Sequence, residues 1–402
     1  MRTFSVAERR ARIGARHRLA GGALAASAEE VASSLVAIHS TDAASVVLAL
    51  WARLADRAAA ASAVEDALYE ERTLLRLMGM RRTMFVVDRS VAPLVQAACG
   101  SVVEARERAK AVRMLADVGV GGRRPEAWLA RAETAALAVL HDRGECTATE
   151  LADADPLLAT EVSTGQGKWS ATQKIASRVL LLLALRGEAI RARPRGGWTS
   201  TQFRWAAFDT WVGGPLEEVP VDDARAALAR RWLHTFGPAQ PSDLQWWTGW
   251  SAGQTKRALA GDDIVAVELQ EPDDTTVAGI HLAADLEHVE AAGDPWIALL
   301  PALDSTPMGW KHRAFYLGAH ADHLFDTNGN VSPTIWADGA IIGGWTRRPD
   351  GTVATKVLEP QSKAITSLIA AEAKALAPRL GDATLAPRAR GYSPLERGLL
   401  NA

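Results

Sequence analysis

Residues 299–345 decide how this chain is read: LLPALDSTPMGWKHRAFYL over 299–317, then NGNVSPTIWADGAIIGGW over 328–345. Two apolar runs bracket a short basic-aromatic loop, Gly309-Trp310-Lys311-His312-Arg313. Asp338-Gly339 sits between alternating apolar residues and spells a two-residue hairpin turn, because both central positions of such a turn need φ > 0. A β-element that projects a Lys/Arg/Trp loop suits nucleic acid better than a small metabolite. Upstream, Arg231 to Ala239 (RWLHTFGPA) and Pro241 to Gly249 (PSDLQWWTG) read as a helix, a Gly237-Pro238 turn and a second helix capped by Ser242 or Asp243. That is the sequence form of a helix-turn-helix.

The chain has 402 residues, enough for two to four small domains with a well-buried core. Charged residues at 23% and hydrophobic residues at 48% describe a globular protein. Two cysteines, Cys99 and Cys146, cannot build a disulfide framework, so a reducing, cytoplasmic setting is expected. The basic N-terminus lacks the apolar stretch of a secretory signal, and the longest apolar run, Val179–Leu185, is too short to span a membrane. A net charge of −2 argues against coating nucleic acid indiscriminately. Residues 1–125 nevertheless hold 19 Lys/Arg against 13 Asp/Glu, a net of +6, leaving −8 for the rest. A basic face on an acidic body fits DNA binding at a defined site; it equally fits arginines decorating solvated helices.

Along the chain, helical periodicity is expected over 4–20, 28–39 and 43–57, and Leu74–Val87 reads as a short helix running into a strand. The loop Gly119–Pro125 is a plausible boundary. A second unit holds a helix at 127–142, a short helix opened by Thr147 or Thr149, a loop at 163–169, a helix at 171–186, and strand, basic wing, strand over 187–198. A third repeats the order with helices at 222–236, 242–249 and 253–260 and strands near 264–269 and 277–282; helix, turn, helix and basic β-wing is the winged-helix order. A helix at 361–376 and a Pro-rich tail close the chain. The expected units are 1–125, 126–215, 216–298 and 299–402: a mainly α chain with small β wings, α+β, with tandem winged-helix modules in a C-shaped arrangement and a β-hairpin-rich C-terminal part.

These segments together resemble the bacterial winged-helix family of AlkZ-like DNA glycosylases, which excise alkylated or crosslinked bases. The resemblance rests on the helix-Phe-Gly-Pro-Ala-helix segment ending in Trp247-Thr248-Gly249, the Leu-Pro-x-x-Asp segment ending in Arg313, and the Asp338-Gly339 hairpin with Trp345. Leu48-Ala49-Leu50-Trp51-Ala52-Arg53 and Met80-Arg81-Arg82-Thr83 also fit. It implies a monofunctional glycosylase that hydrolyses the N-glycosidic bond of alkylated or bulky-adducted purines in duplex DNA without metal or cofactor, as a monomer, in a self-resistance role. Family members carry two glutamines, separated by one residue, that position the attacking water; the matching positions here are His39 and Thr41, a departure from that pattern.

The candidate catalytic residues are therefore His39, Thr41 and Asp42. A neutral imidazole can accept the water's proton, and a carboxylate can stabilise an oxocarbenium-like sugar. Read structurally, Thr41 or Asp42 simply caps the following helix. Candidate DNA-binding residues are Arg81, Arg82, Lys168, Arg193, Arg195, Lys311, Arg313, Arg347 and Arg348, with Trp310 as a wedge between bases or as a buried anchor of the hairpin. Gly249-x-Ser251-x-Gly253 spells a nucleophile elbow but follows a Trp-rich helix instead of a strand. His320-x-Asp322-His323 and Asp326-x-Asn328-x-Asn330 read as surface turns before metal sites. The competing class is a winged-helix DNA-binding protein or transcriptional regulator without catalysis.

Overall fold

The computed structural model describes residues 1–164, 171–290, 293–385 and 391–402. Helices and small sheets alternate along the chain, an α+β architecture. Several helix starts are fixed locally by capping boxes, in which a Ser or Thr hydroxyl accepts the N3 amide while the N3 side chain accepts the cap amide. Ser5 with Glu8 opens Val6–Arg16, Thr147 with Glu150 opens Ala148–Ala154, Ser251 with Gln254 opens Ala252–Ala258, and Ser393 with Glu396 opens Pro394–Asn401. No helix among the described residues is long and apolar enough to cross a membrane.

The Asp338-Gly339 turn forms as its residues require, with φ of 46° and 82°, and joins the antiparallel strands Thr334–Ala337 and Ala340–Arg347. Ile297–Leu300 and Val353–Val357 complete a four-stranded sheet. Trp336 and Trp345 are fully buried against it, and their indole N–H groups reach Thr334 Oγ1 and Leu300 O. The helices Val221–Phe236 and Pro241–Thr248 follow each other across Gly237-Pro238, as expected. Their cap differs from the expectation. Pro241, whose φ is preset for a first turn, takes the first helical position. Asp243 therefore lies at N3, where its carboxylate accepts the Gln240 N–H at 3.0 Å.

Other expectations need correction. Leu74–Val87 is a hairpin of two strands, Leu74–Met78 and Met84–Asp88, joined by a turn in which Arg81 and Arg82 have φ of 51° and 62°. The helix from 28 ends at Ser34, because Ile38–His39 pairs with Val86 and Phe85 as the third strand of that sheet. The strand partner of Ala189–Pro194 is Phe203–Ala207, so the connecting loop is longer than 187–198 allowed. Part of the expected loop at 163–169 is strand: Glu161–Thr164 pairs with Ala171–Lys174. The last long helix runs Lys363–Leu380, and the tail carries a further helix. The expected helix 4–20 is shorter, Val6–Arg16, and residues 3–4 instead pair in parallel with Glu268 and Leu269, so the first residues close onto the middle of the chain.

The main apolar core draws residues from Ile13 to Leu399, and a second gathers Ala111 to Ala207. The main core is crossed by one ion pair, Arg53–Asp304, both side chains 0% exposed. Arg53 has five N–H donors, and all have partners. Nη1 and Nη2 grip Asp304 Oδ2 and Oδ1 at 2.9 and 2.7 Å; Nε reaches His17 O, Nη1 also reaches Ala49 O, and Nη2 reaches Thr306 Oγ1. Asp304 also accepts the Thr306 N–H, and His17 Nδ1 lies 2.8 Å from Thr306 Oγ1. Burial, together with Arg53, pushes the His17 imidazole down to about 3, so it stays neutral here. The Leu-Pro-x-x-Asp segment thus locks onto the helix Ala43–Trp51 and its C-terminal turn. Removing one partner of such a pair leaves an uncompensated buried charge. Asp304→Ala should cost roughly 3–5 kcal/mol in urea unfolding, and the double variant Arg53→Met/Asp304→Leu should recover most of that loss. Equal losses in single and double variants would show that the ionic pairing does not hold this junction.

Candidate active site and nucleic-acid interface

The segment 38–42 lies where three parts of the chain meet. Its strand residues pair with Met84–Asp88, and Ser40 N donates to Met84 O at 2.8 Å. From the other side, the loop after Leu300 clamps it. His39 N donates to Ser305 Oγ, Ser305 Oγ donates to Ala37 O, and Ser45 Oγ donates to Ala302 O at 2.7 Å. Ser305 follows directly on Asp304, so the buried ion pair and the grip on His39 belong to one rigid turn.

His39 is 5% exposed and packs edge-on against Phe85 at 5.2 Å. Burial, and then the nearby Arg81 charge, push its pKa down to about 3. Its Nδ1 is buried without a hydrogen-bond partner, and so is the Oγ of the adjacent, fully buried Ser40. Buried polar atoms are normally satisfied, so two unsatisfied neighbours mark this segment as unusual. Thr41 is exposed. Asp42 caps Ala43–Trp51, accepting from Ala44 N and Ser45 Oγ, each at 3.2 Å. The capping reading of Asp42 therefore holds as geometry.

Arg81 projects from the strained turn beside this segment. Its guanidinium lies 4.0 Å over the Trp246 ring, and its pKa is pushed down to about 10 by burial and by Arg313. Arg313 also lies over Trp246, at 4.8 Å, and over Phe325, with its Nε donating to Trp310 O. Arg81 Nε and Arg313 Nη2 are both buried and unpartnered. The tight approach of Arg81 to the helix end explains Gly249: at φ +76° a Cβ there would also come 3.1 Å from Arg81 Cγ. Lys311 is exposed, and its position is set from below. The fully buried Asp243 accepts the N–H groups of Lys311 and His312 at 2.9 and 2.8 Å, and its Oδ1 lies 3.0 Å from His312 Nδ1.

The structure thus brings Arg81 and Arg313 together over Trp246, with His39 near Arg81 and Lys311 held on Asp243, from segments distant in sequence. The remaining basic candidates are otherwise engaged. Arg82 meets Glu107 at 3.2 Å, Arg193 meets Glu65 and Glu70, and Arg195 meets Glu150. Arg347 and Arg348 donate to the carbonyls of Gly381 and Leu399. Lys168 lies outside the described residues.

Trp310 corrects the wedge reading. It is 2% exposed, donates its indole N–H to Phe236 O, and packs among His17, Phe236, Phe315 and Tyr316. Gly309 before it packs so closely on Phe236 that a Cβ would come within 2.3 Å of the ring. The half-buried aromatic at the basic surface is Trp246. The Trp246-Trp247 pair carried that signal, since adjacent residues on a helix point about 100° apart and one must turn away from the core. Other motifs find ordinary roles: Ser251 is a helix cap, Asp326 accepts the Asn328 and Asn330 amides of its own turn, and His320 contacts Glu359. No group of three or more His, Cys, Asp or Glu suited to a metal occurs among the described residues. A larger cleft of about 740 Å³, between Pro93 and Val221, has Glu104, Glu188, Glu217 and Glu218 in its walls, the wrong sign for a phosphate backbone.

No curated protein matches the chain. Among solved structures, the Streptomyces sahachiroi DNA glycosylase AlkZ is similar, with a TM-score of 0.70 at 19% identity over 96% of this chain and 99% of that one. At that identity the likeness is one of fold. The family model described as DNA glycosylase AlkZ-like matches residues 32–379, which include the whole of the His39, Arg81, Trp246 and Asp304 constellation. The chain belongs to the AlkZ-like DNA glycosylase family.

Proposed function

We propose that this DNA glycosylase is monofunctional and hydrolyses the N-glycosidic bond of alkylated or bulky-adducted purines in duplex DNA. The observation that carries the reading is the pair of unpartnered buried polar atoms, His39 Nδ1 and Ser40 Oγ, beside an electropositive surface. An N7-alkylated purine leaves as a neutral base, so no general acid is needed. As the C1′–N bond breaks, its electrons go to the base, and a water oxygen bonds to C1′ while its proton passes to solvent. On this reading His39 orients the water as a neutral hydrogen-bonding ring. With its pKa pushed so low it is too weak a base to hold the proton, which revises the role expected from sequence. Asp42, beside Thr41 at the start of its helix, supplies negative charge for the oxocarbenium-like sugar. Arg81, Arg313 and Lys311 take backbone phosphates. The helix-and-sheet units within 126–215 and 216–298 act as winged-helix modules around the same concave surface, in a monomer. A producer's resistance to its own DNA-alkylating product would be the biological use.

The direct assay is incubation with duplex DNA carrying an N7-alkylguanine, followed by alkaline cleavage of abasic sites; strand cleavage before alkali, or none after it, would contradict the reading. His39→Ala should slow single-turnover excision by about 10²-fold with little change in DNA affinity. The wild-type rate should show no acid limb between pH 5 and 8, because an imidazole with its pKa near 3 gains a proton only well below that window. A limb near the ordinary histidine pKa would overturn the purely orienting role, and a His39→Ala enzyme that is less stable yet fully active per folded molecule would remove His39 from the chemistry.

Phosphate contacts make affinity fall with salt. Replacing Lys311 and Arg313 by Ala should lower the slope of log K against log salt by about one unit for each phosphate no longer neutralised. An unchanged slope would mean that the 309–313 loop does not touch DNA.

Where the family pattern has two glutamines, this chain has His39 and the short Thr41, which leaves room for a large adduct. Extruding a bulky intercalated adduct costs more than flipping a small damaged base, so a roomy site that acts without full extrusion favours bulky lesions. Excision of bulky natural-product adducts should therefore outpace release of 7-methylguanine under the same conditions; equal or faster release of the methylated base would count against this specificity.

A further inference from the structure

The strands Leu74–Met78 and Ala189–Pro194 bring together two arginines with no carboxylate between them. Arg76 is 3% exposed, and its Nε and Nη1 are buried without hydrogen-bond partners. Arg191 Nε is likewise buried and unpartnered. Both guanidiniums lie over one ring, Phe203, at 4.5 and 5.1 Å from its centroid, and Arg191 also lies 5.2 Å from Trp205. The other arginines about as deeply buried as Arg76 each meet a carboxylate: Arg9 with Glu271, Arg12 with Asp285, Arg53 with Asp304, Arg225 with Asp222. Arg76 and Arg191 form no ion pair among the described residues, and the remaining segments, 165–170, 291–292 and 386–390, contain no Asp or Glu in their sequence to supply one.

Stacking on Phe203 offsets only part of what an uncompensated buried ion costs. The imbalance continues outward. Arg191 opens onto a cleft of about 540 Å³ whose walls also hold Arg81, Arg82 and Arg178, with Gln173 and Ser177 as further hydrogen-bonding groups and no carboxylate. Glu107 pairs with Arg82 at 3.2 Å and Arg178 at 2.8 Å, which leaves Arg81, Arg191 and Arg76 uncompensated. Arg191 is held down near 10 by burial and by Arg76, as expected where positive charges face each other without an anion. The planar fork of a guanidinium fits two oxygens of a phosphate.

We propose that this cleft is a phosphate site, in which Arg191 grips the oxygens of one DNA backbone phosphate and the buried Arg76 behind it supplies unneutralised charge. The proposal rests on the DNA glycosylase reading and adds a contact outside the loop that carries Lys311. Its chemistry is shared by a free inorganic phosphate, so the test has two arms. In the first, thermal unfolding is followed with inorganic phosphate against chloride at matched ionic strength. The wild type should be stabilised by phosphate, and Arg191→Gln and Arg76→Met should lose that response. Arg76→Met removes a buried unpaired charge, so its phosphate-free melting temperature should be unchanged or higher; a missing response then cannot be put down to misfolding. In the second arm, duplex affinity is measured against salt, and Arg191→Gln should lower the slope by about one unit. No phosphate response in the wild type would overturn the anion site. A phosphate response with an unchanged slope would overturn the backbone assignment. A wild type that binds no duplex would sink the DNA reading and the backbone assignment together, while the phosphate arm still decides the anion site.

Discussion

The junction between residues 37–53 and 300–306 is built around one buried ion pair, and the candidate site is arranged on it. Taking Arg53 and Asp304 out of water costs several kcal/mol per ion, and only the bidentate geometry with every remaining donor satisfied offsets it. That requirement is demanding, and it has a consequence. The five bonds of Arg53 admit one placement of the 304–306 turn relative to the helix Ala43–Trp51, so Ser305 is presented to His39 N and Ala37 O without freedom of its own. An apolar pair of similar volume would hold the same elements together but would tolerate small slides between them. A polar network specifies register, which is what a segment with unmade hydrogen bonds needs.

Around this junction the polar groups divide into two populations. One set holds the fold through ion pairs and backbone contacts: Arg12 and Arg16 on Asp285 and Glu290, Arg53 on Asp304, Asp243 on the backbone of the 311–312 loop. Those that face the proposed DNA surface are left short of partners: His39 Nδ1, Ser40 Oγ, Arg81 Nε, Arg313 Nη2, Arg76 Nε and Nη1, and Arg191 Nε. Each such group costs stability in isolation. Unpartnered atoms also occur elsewhere, such as Arg9 Nε, Trp232 Nε1 and His281 Nδ1, but those near residues 38–42, 76–82 and 191 sit beside an arginine-lined cleft and fit a ligand that supplies the missing hydrogen bonds. The backbone agrees, since Arg81 and Arg82 both hold positive φ in the turn that aims Arg81 at Trp246, and strain of this kind persists where surrounding structure enforces it.

The family assignment makes the departure at His39 informative. A neutral imidazole offers one donor and one acceptor, as a glutamine amide offers both, so a histidine at this place can still orient a water. Burial beside Arg81 lowers its basicity and disfavours its carrying the proton. In the proposed mechanism, an imidazole in place of an amide keeps the positioning and forgoes base catalysis, which suits a reaction whose leaving group is already activated by alkylation.

Sequence by itself determined the features that depend on neighbours in the chain. Asp338-Gly339 had to turn because its φ values admit little else, and capping boxes such as Ser5-Glu8 and Thr147-Glu150 start their helices locally. The helix-turn-helix at 221–248, the Leu-Pro-x-x-Asp segment, and hence the family are legible for the same reason. Tertiary structure decided whatever depends on which distant segment arrives. Leu74–Val87 reads as partly helical because its apolar residues show no clean period, and only pairing with Met84–Asp88, itself paired to Ile38–His39, makes Leu74–Met78 a strand. Trp310 reads as a wedge because its neighbours are basic, yet Phe236 and Tyr316 arrive to bury it, while Trp246 turns outward between two arginines. Arg193 and Arg195 spell a phosphate track but meet glutamates from other elements, whereas Arg76, set among leucines, meets none. Charge and aromaticity are properties of a residue; whether either is free to meet a ligand depends on the company that folding brings to it.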